Sequence, residues 1–257
     1  MQTTCAVGSA AATALLGFEG ARLTDAHVHL DFMTNARAVA EDAAARGICL
    51  FANVVTPEGY LQTLDSVGDL RNVRVGLGLH PRWIADDRLG EADVSRFEEL
   101  VHEAPWVGEV GLDFLPRYVK DGSRERQLGT FERIARACAR EGGRVLSIHA
   151  PRSVSAVLDV LEDTGCVERC GCILHWFNGS TEELWRAIHA GLWFSVNERQ
   201  ARTKRAKEQL KLIPSDRMLL ETDLPPAEGA AFSASEIEAS LLRAQELVLT
   251  VGGIRNQ

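Results

Sequence analysis

Five stations of acidic or imidazole side chains each stand where a short apolar run ends: Asp25-Ala-His27-Val-His29, Gly108-Glu109, His149, His175 and Glu221-Thr-Asp223. Imidazole nitrogens and carboxylate oxygens are ligands for borderline and hard divalent cations, and no thiolate accompanies them. Ions held in this way polarise a carbonyl or phosphoryl oxygen and acidify a water molecule, so the chemistry within reach is metal-assisted hydrolysis. The ligand types suit Zn²⁺, Mn²⁺ or Mg²⁺ and do not choose among them.

Each station has a local logic. Alternate side chains of a strand share a face, so His27 and His29 can hold one ion, although two histidines this close also occur as satisfied core residues. Glu109 lies in Val107-Gly-Glu-Val-Gly-Leu-Asp113, a run whose interior would otherwise be apolar. An ionised Glu there needs partners, either a barrel Arg or a pair of metal ions that it bridges. His149 ends Val145-Leu-Ser-Ile, His175 ends Cys172-Ile-Leu, and Asp223 follows Met218-Leu-Leu-Glu-Thr ahead of Pro225-Pro226. Asp223 can bind metal and also take a proton from water. Glu221 points to the same face deeper down, where a structural pairing with a buried base is its expected role. His80 ends another apolar run and is expected to contact a phosphate or leaving group. Trp176, in the pair Trp176-Phe177, either stacks a base or packs its loop. His102 and His189 fall on outward faces of helical patterns.

A chain that ends strand after strand with a ligand builds one cluster at one end of a parallel barrel. From Leu23 onward eight apolar runs alternate with helical patterns, the signature of βαβ units. The strands are expected near Leu23–His27, Ile48–Val54, Val73–Leu79, Trp106–Gly111, Arg144–His149, Cys172–His175, Leu192–Val196 and Met218–Thr222. The clearest helices are Ala36–Arg46, Arg124–Glu141, Arg152–Glu162, Thr181–Ala190 and Ala234–Leu249, four of them stopped by Gly47, Gly142, Gly165 and Gly191. The expected fold is an α/β TIM (β/α)8 barrel of the metal-dependent hydrolase type over residues 23–257, preceded by an N-terminal extension of little order, residues 1–22. Leu112–Ser123 is expected to loop over the mouth of the site.

The length of 257 residues is close to the roughly 250 typical of such a barrel. With 46% hydrophobic and 25% charged residues the chain belongs to the soluble globular class. A net charge of −8 argues against a broad basic surface for duplex DNA, so a phosphate partner must be met locally. The cysteines at 5, 49, 138, 166, 170 and 172 include no Cys-x-x-Cys. Reduced thiols of a cytoplasmic protein are expected, with Cys166, Cys170 and Cys172 as buried thiols or a structural zinc site at the end opposite the chemistry. The N-terminus lacks the basic lead of a secretory signal, and no apolar run is long enough for a membrane span.

Asp25-Ala-His-Val-His-Leu-Asp31, Gly78-Leu-His-Pro81, Val107-Gly-Glu-Val-Gly-Leu-Asp113, Gln127 with Phe131, His149, His175-Trp-Phe-Asn-Gly-Ser180 and Leu220-Glu-Thr-Asp-Leu-Pro225 follow one another across residues 23 to 226. In order and spacing they resemble the TatD-like metal-dependent deoxyribonucleases, a family similar to the wider amidohydrolase barrels. The resemblance implies hydrolysis of DNA phosphodiesters, often from a 3′ end, with two divalent ions ligated by His27, His29, Glu109, His149, His175 and Asp223. On the reading of the residues, Glu109 is expected to bridge the ions and Asp223 to accept the proton, with His80, Arg152 and Trp176 as expected substrate contacts. Within the family, Gly142–His149, Leu174–Ser180 and Leu192–Val196 are most similar to the TatD-like component of Qat antiphage systems, which implies partner proteins from the same antiphage defence system. Two departures stand out. The family's His-x-Arg after the fifth strand is His149-Ala-Pro-Arg152 here, and the family's aromatic and Arg-Asn-Pro pattern after Asp223 is replaced by Pro226-Ala-Glu-Gly-Ala-Ala. The rival readings are an amidohydrolase acting on a small amide, ester or lactone, and a non-catalytic partner-binding subunit.

Overall fold

Eight parallel strands form in the computed structural model, which describes residues 8–120 and 122–252, and each begins within one residue of its expected start. They are β1 Leu23–Val28, β2 Ile48–Asn53, β3 Val73–Gly76, β4 Trp106–Gly111, β5 Val145–His149, β6 Gly171–Leu174, β7 Trp193–Asn197 and β8 Met218–Glu221. Helices α1 to α11 cover Ser9–Leu16, Ala36–Ala45, Pro57–Val67, Pro81–Ala85, Glu91–Leu100, Ser123–Glu141, Val154–Asp163, Cys166–Arg169, Thr181–His189, Lys204–Leu210 and Ala234–Gly252. The four glycines expected to stop helices all take positive φ, a conformation that costs glycine little.

The strands form two parallel ladders, β1-β2-β3 and β4-β5-β6-β7-β8, and backbone hydrogen bonds at two seams close them into a ring. At one seam Leu77 bridges to Val107, with Gly108 N donating to Leu77 O at 3.0 Å. At the other, Asp223 N donates to His27 O at 2.9 Å and His29 N to Leu224 O at 2.8 Å. The buried Asp25 carboxylate reinforces this seam by accepting from Thr222 N at 2.9 Å and Thr222 Oγ1 at 2.5 Å. Burial pushes the Asp25 carboxyl up to about 7 against these hydrogen bonds.

Inside the ring the period of two sorts the chemistry by depth. Val145, Ile173 and Leu219 belong to an apolar floor with Phe51 and Ala26. Two residues further along the same strands come the buried Ser147, His175 and Glu221, and two further again His149 and Asp223. The floor therefore faces the strand starts and the polar layers face the strand ends. A larger apolar cluster fills the space between the strands and the outer helices.

Four expectations change. Residues 9–16, read as part of a little-ordered extension, are helix α1, whose Ala11, Ala12 and Leu16 join Phe18 in sealing the floor of the barrel; residues 1–7, with Cys5, lie outside the described residues. Strand β3 stops at Gly76, and Leu79 reaches the ring through one hydrogen bond, from its N to Glu109 O at 3.1 Å, instead. The helix expected from Arg152 starts at Val154, because Arg152 has φ 56° and the Ser153 hydroxyl donates to Leu112 O at 2.8 Å. His102 sits in the turn after α5, exposed and 2.8 Å from Glu141, whereas His189 ends α9 beside Trp185. Among the described residues no helix is long and apolar enough to cross a membrane.

Candidate metal centre

Glu109 stands at the centre of the polar layers with only imidazoles as ion-pair partners among the described residues, which replaces the alternative of a barrel Arg. Its Oε1 lies 2.6 Å from His149 Nδ1, 2.9 Å from His175 Nε2 and 3.2 Å from His80 Nε2. Its Oε2 lies 3.4 Å from both His27 Nε2 and His29 Nε2. Asp223 Oδ1 completes the second side, 3.3 Å from His29 Nε2 and 3.8 Å from His27 Nε2. One carboxylate thus offers an oxygen to each of two half-sites. Gly108 makes this approach possible, since a Cβ there would come 1.9 Å from Asn53 Oδ1.

Neighbouring groups decide which ring nitrogen each imidazole presents. His29 Nδ1 faces the Asn53 carbonyl at 2.8 Å and must donate to it, so Nε2 turns a lone pair toward Glu109 and Asp223. Ser147 Oγ holds His27 Nδ1 at 2.7 Å, leaving Nε2 on the same side. His149 is reversed: its Nε2 is 3.0 Å from Asp113 Oδ2, and Nδ1 faces Glu109. Asp113 also accepts from Arg82 Nε at 2.7 Å and Leu115 N at 2.9 Å. Burial opposes its charge, yet His149 and Arg82 draw the Asp113 carboxyl down to about 2. A carboxylate behind a ligating imidazole fixes its tautomer and orientation.

His80 differs from the others. Its Nδ1 accepts from Arg82 N at 3.1 Å, so in the neutral ring Nε2 carries the hydrogen. Burial lowers this imidazole to about 4 despite Glu109, so it is a neutral donor aimed at the cluster. Position alone groups His80 with Glu109 and His149, but an N–H offers no lone pair to a cation. The chemistry of the ring favours hydrogen bonding to substrate.

The donor set fits divalent ions. Five buried rings surround two carboxylates, and His27 Nε2, which faces Glu109 and Asp223, has no hydrogen-bond partner although burial makes an unsatisfied polar atom costly. The imidazole-to-carboxylate distances among His27 Nε2, His29 Nε2, Glu109 Oε2 and Asp223 Oδ1 run from 3.3 to 3.8 Å. Ligands about 2.0–2.2 Å from a tetrahedral ion stand about 3.3–3.6 Å apart. The electrostatics ask for positive charge in the same place. Burial would lift Glu109, but His80, His175 and His149 hold it well below its ordinary range. Burial would likewise depress His29 and His175, but Asp223 and Glu109 raise the first to about 9, and Glu109 and Glu221 raise the second. Bound cations would replace the protons that these rings otherwise carry.

The centre opens into a cavity of about 950 Å³ lined on one side by Arg82, Trp83, Arg88 and Tyr118, and on the other by Arg152, Trp176, Arg199 and Arg205. Arg152 and Trp176, expected to touch substrate, both lie at this mouth. Trp176 has φ 42°, a left-handed conformation that bulky residues rarely adopt, and it presents its ring to the Arg199 guanidinium at 4.8 Å. Phe177 turns the other way and packs edge-on to Phe194 in the core. Pro225, Pro226, Ala227 and Glu228 line the cavity where the expected aromatic and Arg-Asn-Pro contacts are missing. Tyr118 and Leu115 come from the expected loop, which contains a short 3-10 turn at Pro116–Tyr118. Glu221 lies below, completely buried, accepting from Ser195 Oγ with its Oε2 and standing 3.8 Å from His175 Nδ1.

All six expected ligands therefore meet at one end of the ring, and His80 joins them. Cys166, Cys170 and Cys172 lie elsewhere, on α8, the residue after it and β6. Among the described residues they form no metal-ligating group, and a hydrogen bond with Cys166, followed by burial, pushes the Cys170 thiol up. Asp113 and Arg82 had no role assigned from sequence. The signal for Asp113 was present in the run Glu109-Val-Gly-Leu-Asp113, where a second carboxylate follows the first at the end of the same strand.

A family model described as TatD related DNase matches residues 24–246. The chain belongs to the TatD family. It is 28% identical over 235 residues to the metal-dependent hydrolase YcfH of Escherichia coli K12, a match covering 86% of this chain and 84% of that one. It is 25% identical over 219 residues to the human deoxyribonuclease TATDN3, covering 80% of this chain and 79% of the relative. Among solved structures, the TatD homologue YJJV of Escherichia coli K12 superposes with a TM-score of 0.73 at 20% identity, covering 90% of this chain and 94% of that one. A TatD-family hydrolase from Entamoeba histolytica superposes with a TM-score of 0.74 at 16% identity, covering 91% and 93%. This TatD-family chain is a metal-dependent hydrolase with a barrel fold and an assembled set of His, Glu and Asp ligands.

Proposed function

We propose that this protein is a deoxyribonuclease that hydrolyses phosphodiester bonds of single-stranded DNA from the 3′ end and uses two divalent ions, Zn²⁺, Mn²⁺ or Mg²⁺. One observation carries the reading: Glu109 divides its two oxygens between His149 with His175 on one side and His27, His29 with Asp223 on the other. His27, His29, Asp223 and Glu109 would hold one ion, and Glu109, His149 and His175 the other. A bound pair supplies polarisation of the phosphoryl oxygens and acidification of water, the combination suited to in-line displacement at phosphorus.

The chain's own residues account for the rest. Asp223 has a side chain 23% exposed where that of Glu109 is 3% exposed, so of the cluster's two carboxylates lining the cavity it is the one placed to accept the proton of the attacking water. Burial opposes its charge, but His29 and His27 draw it down to about 2, so it is an ionised acceptor. His80 donates its Nε2 hydrogen to a phosphoryl oxygen, and Arg152 offers a guanidinium at the mouth for the same phosphate. Asp113 keeps His149 in the orientation that presents Nδ1.

The test is digestion of single-stranded DNA, labelled at either end, by metal-stripped protein resupplied with Mn²⁺, Mg²⁺ or Zn²⁺. Stepwise shortening of the 5′-labelled strand, with early release of the 3′ label as mononucleotide, is expected. Turnover of amides, esters or lactones by the same preparations, with every oligonucleotide left intact, would replace this reading with a small-molecule hydrolase.

A further inference from the structure

The distribution of charge around the mouth is unequal in a way that the net charge of −8 conceals. Of the thirteen residues from 199 to 211, six are basic and one is acidic. This segment leaves β7 at the catalytic end of the ring, passes through a 3-10 turn at Gln200–Arg202 and continues as α10. Its start lines the cavity with Arg199, and α10 contributes Arg205. Arg202, Lys204, Arg205 and Lys207 are exposed, and among the described residues none of them stands in an ion pair with a carboxylate.

That lack of partners contrasts with several other arginines of the surface. Arg37, Arg46, Arg133 and Arg186 each meet two carboxylates. Within the cavity itself Arg82 is neutralised by Asp113, and Arg88 lies 3.7 Å from Glu228 and over the Trp83 ring. The neutralised cations of the cavity thus both follow β3, one of them matched by Glu228 from the segment after β8, whereas the cavity's cations without an ion pair among the described residues, Arg152, Arg199 and Arg205, follow β5 and β7.

The basic segment is also held in place. Gln200 Nε2 donates to Phe177 O at 3.1 Å and Gln209 Nε2 to Gly179 O at 3.0 Å, tying both ends to the loop after β6. Thr203 Oγ1 accepts from Ala206 N at 3.1 Å, and Leu210 and Gln209 are buried beneath the helix. Trp176 on that loop lines the same cavity as Glu109, Asp223 and Arg205, with Arg199 against its ring. Fixed unpaired cations beside a half-buried aromatic ring at the mouth are the ingredients for tracking a single strand, whose phosphates take the charge and whose bases stack.

We propose that residues 199–207 form a docking strip for the backbone of a single-stranded nucleic acid, so that the strand runs from the metal centre past Trp176 and over the start of α10. The assignment rests on the phosphodiesterase reading and adds the direction in which the uncleaved strand lies. The rim on the β3 and β8 side takes no part.

The test is the triple variant Arg202→Ala, Lys204→Ala, Lys207→Ala, in residues that do not line the cavity. Hydrolysis of a 20-nucleotide single strand is measured across a range of salt, alongside bis(p-nitrophenyl) phosphate, a diester too small to reach the strip. The expected result is a KM for the strand raised tenfold or more and a salt dependence shallower by about two logarithmic units per decade, from about 0.7 for each lost contact. The rate on the small diester should stay within twofold of the parent and report an intact metal centre. An unchanged KM and salt slope, with the small diester still cleaved, overturns the strip and leaves the phosphodiesterase reading standing. If the parent cleaves neither substrate, that reading fails, and the strip is judged by fluorescence anisotropy of the labelled strand: equal affinity for parent and variant overturns it. Equal competition by polyglutamate of matched charge also overturns it, because the surface would then be one for acidic proteins.

Discussion

Replacing Glu109 by Gln keeps the shape of the side chain and removes the one group that both half-sites share. At a metal concentration a hundredfold above the dissociation constant, an ion bound only to the folded state stabilises it by about 2.7 kcal/mol. In a chain of this size each kcal/mol raises the melting temperature by about 2–4 °C, so the parent should gain about 5–11 °C for one ion and more for two. Losing a partner that merely supports a ligand costs about 10–100-fold in affinity, and Glu109 is itself placed as a ligand, with oxygens 2.6 and 3.4 Å from imidazole nitrogens on its two sides. A hundredfold loss at the same concentration leaves about 0.4 kcal/mol, or a shift of about 1–2 °C. The assay is thermal unfolding followed by circular dichroism, each protein stripped with a chelator, dialysed and titrated with Mn²⁺. Each shift is read against that protein's own metal-free baseline, so any change in metal-free stability from the stranded imidazoles cancels. A Glu109→Gln protein that gains as many degrees as the parent would refute the shared-carboxylate arrangement, and retained hydrolysis would remove Glu109 from the mechanism.

Three further substitutions separate roles that distance alone merges. Asp113→Asn should lower metal affinity and the hydrolytic rate about 10–100-fold by replacing the carboxylate behind His149 Nε2 with a neutral amide, and calorimetric titration with Mn²⁺ showing parental affinity would exclude the positioning role. His80→Ala should preserve the metal-induced thermal shift while kcat falls about 100- to 1000-fold, as for loss of a donor to a developing oxyanion; a lost thermal shift would instead make His80 a ligand. Gly108→Ala should unfold or severely destabilise the protein by more than about 3 kcal/mol, because the new Cβ would meet Asn53 Oδ1 at 1.9 Å in a packed interior. A denaturant midpoint equal to the parent's would show that Asn53 can move aside.

The ring and the ligands were legible because both rest on short-range rules. A strand's period of two puts Ile173 in the apolar floor and His175 among the polar layers, and Leu219, Glu221 and Asp223 repeat that order, so reading to the end of each apolar run finds the ligand. Element type was equally local, since helices stop at glycines that take positive φ. What stayed hidden depends on neighbours distant in sequence. His80 is a donor and not a ligand because the backbone N–H of Arg82 occupies its Nδ1, a fact of turn geometry. Asp113 acquires its role only when β5 brings His149 beside it. Helix α1 looked like an extension because its apolar residues have no amphipathic partner nearby; Phe51, Ile173 and Leu219, on three different strands, supply one.

Charge shows the same limit in reverse, and here averaging along the chain misleads. A net charge of −8 argues against nucleic acid only if the charge is spread evenly, and most arginines on the outer helices are already paired with carboxylates, so they contribute little to the field at the mouth. A strand of phosphates entering the cavity would meet the local arrangement: Arg152, Arg199 and Arg205 on one rim, and on the other cations already matched by Asp113 and Glu228. The fold converts a chain that repels polyanions at long range into one that attracts them at a single rim. Association of the parent with a single strand should therefore be slow at low salt for a nucleic-acid enzyme, because the overall field opposes approach, while the docked complex still weakens as salt rises through loss of the rim contacts. Stopped-flow fluorescence would separate the two: an association rate that falls steeply with added salt, as for a uniformly basic protein, would contradict a field that is attractive only at the rim.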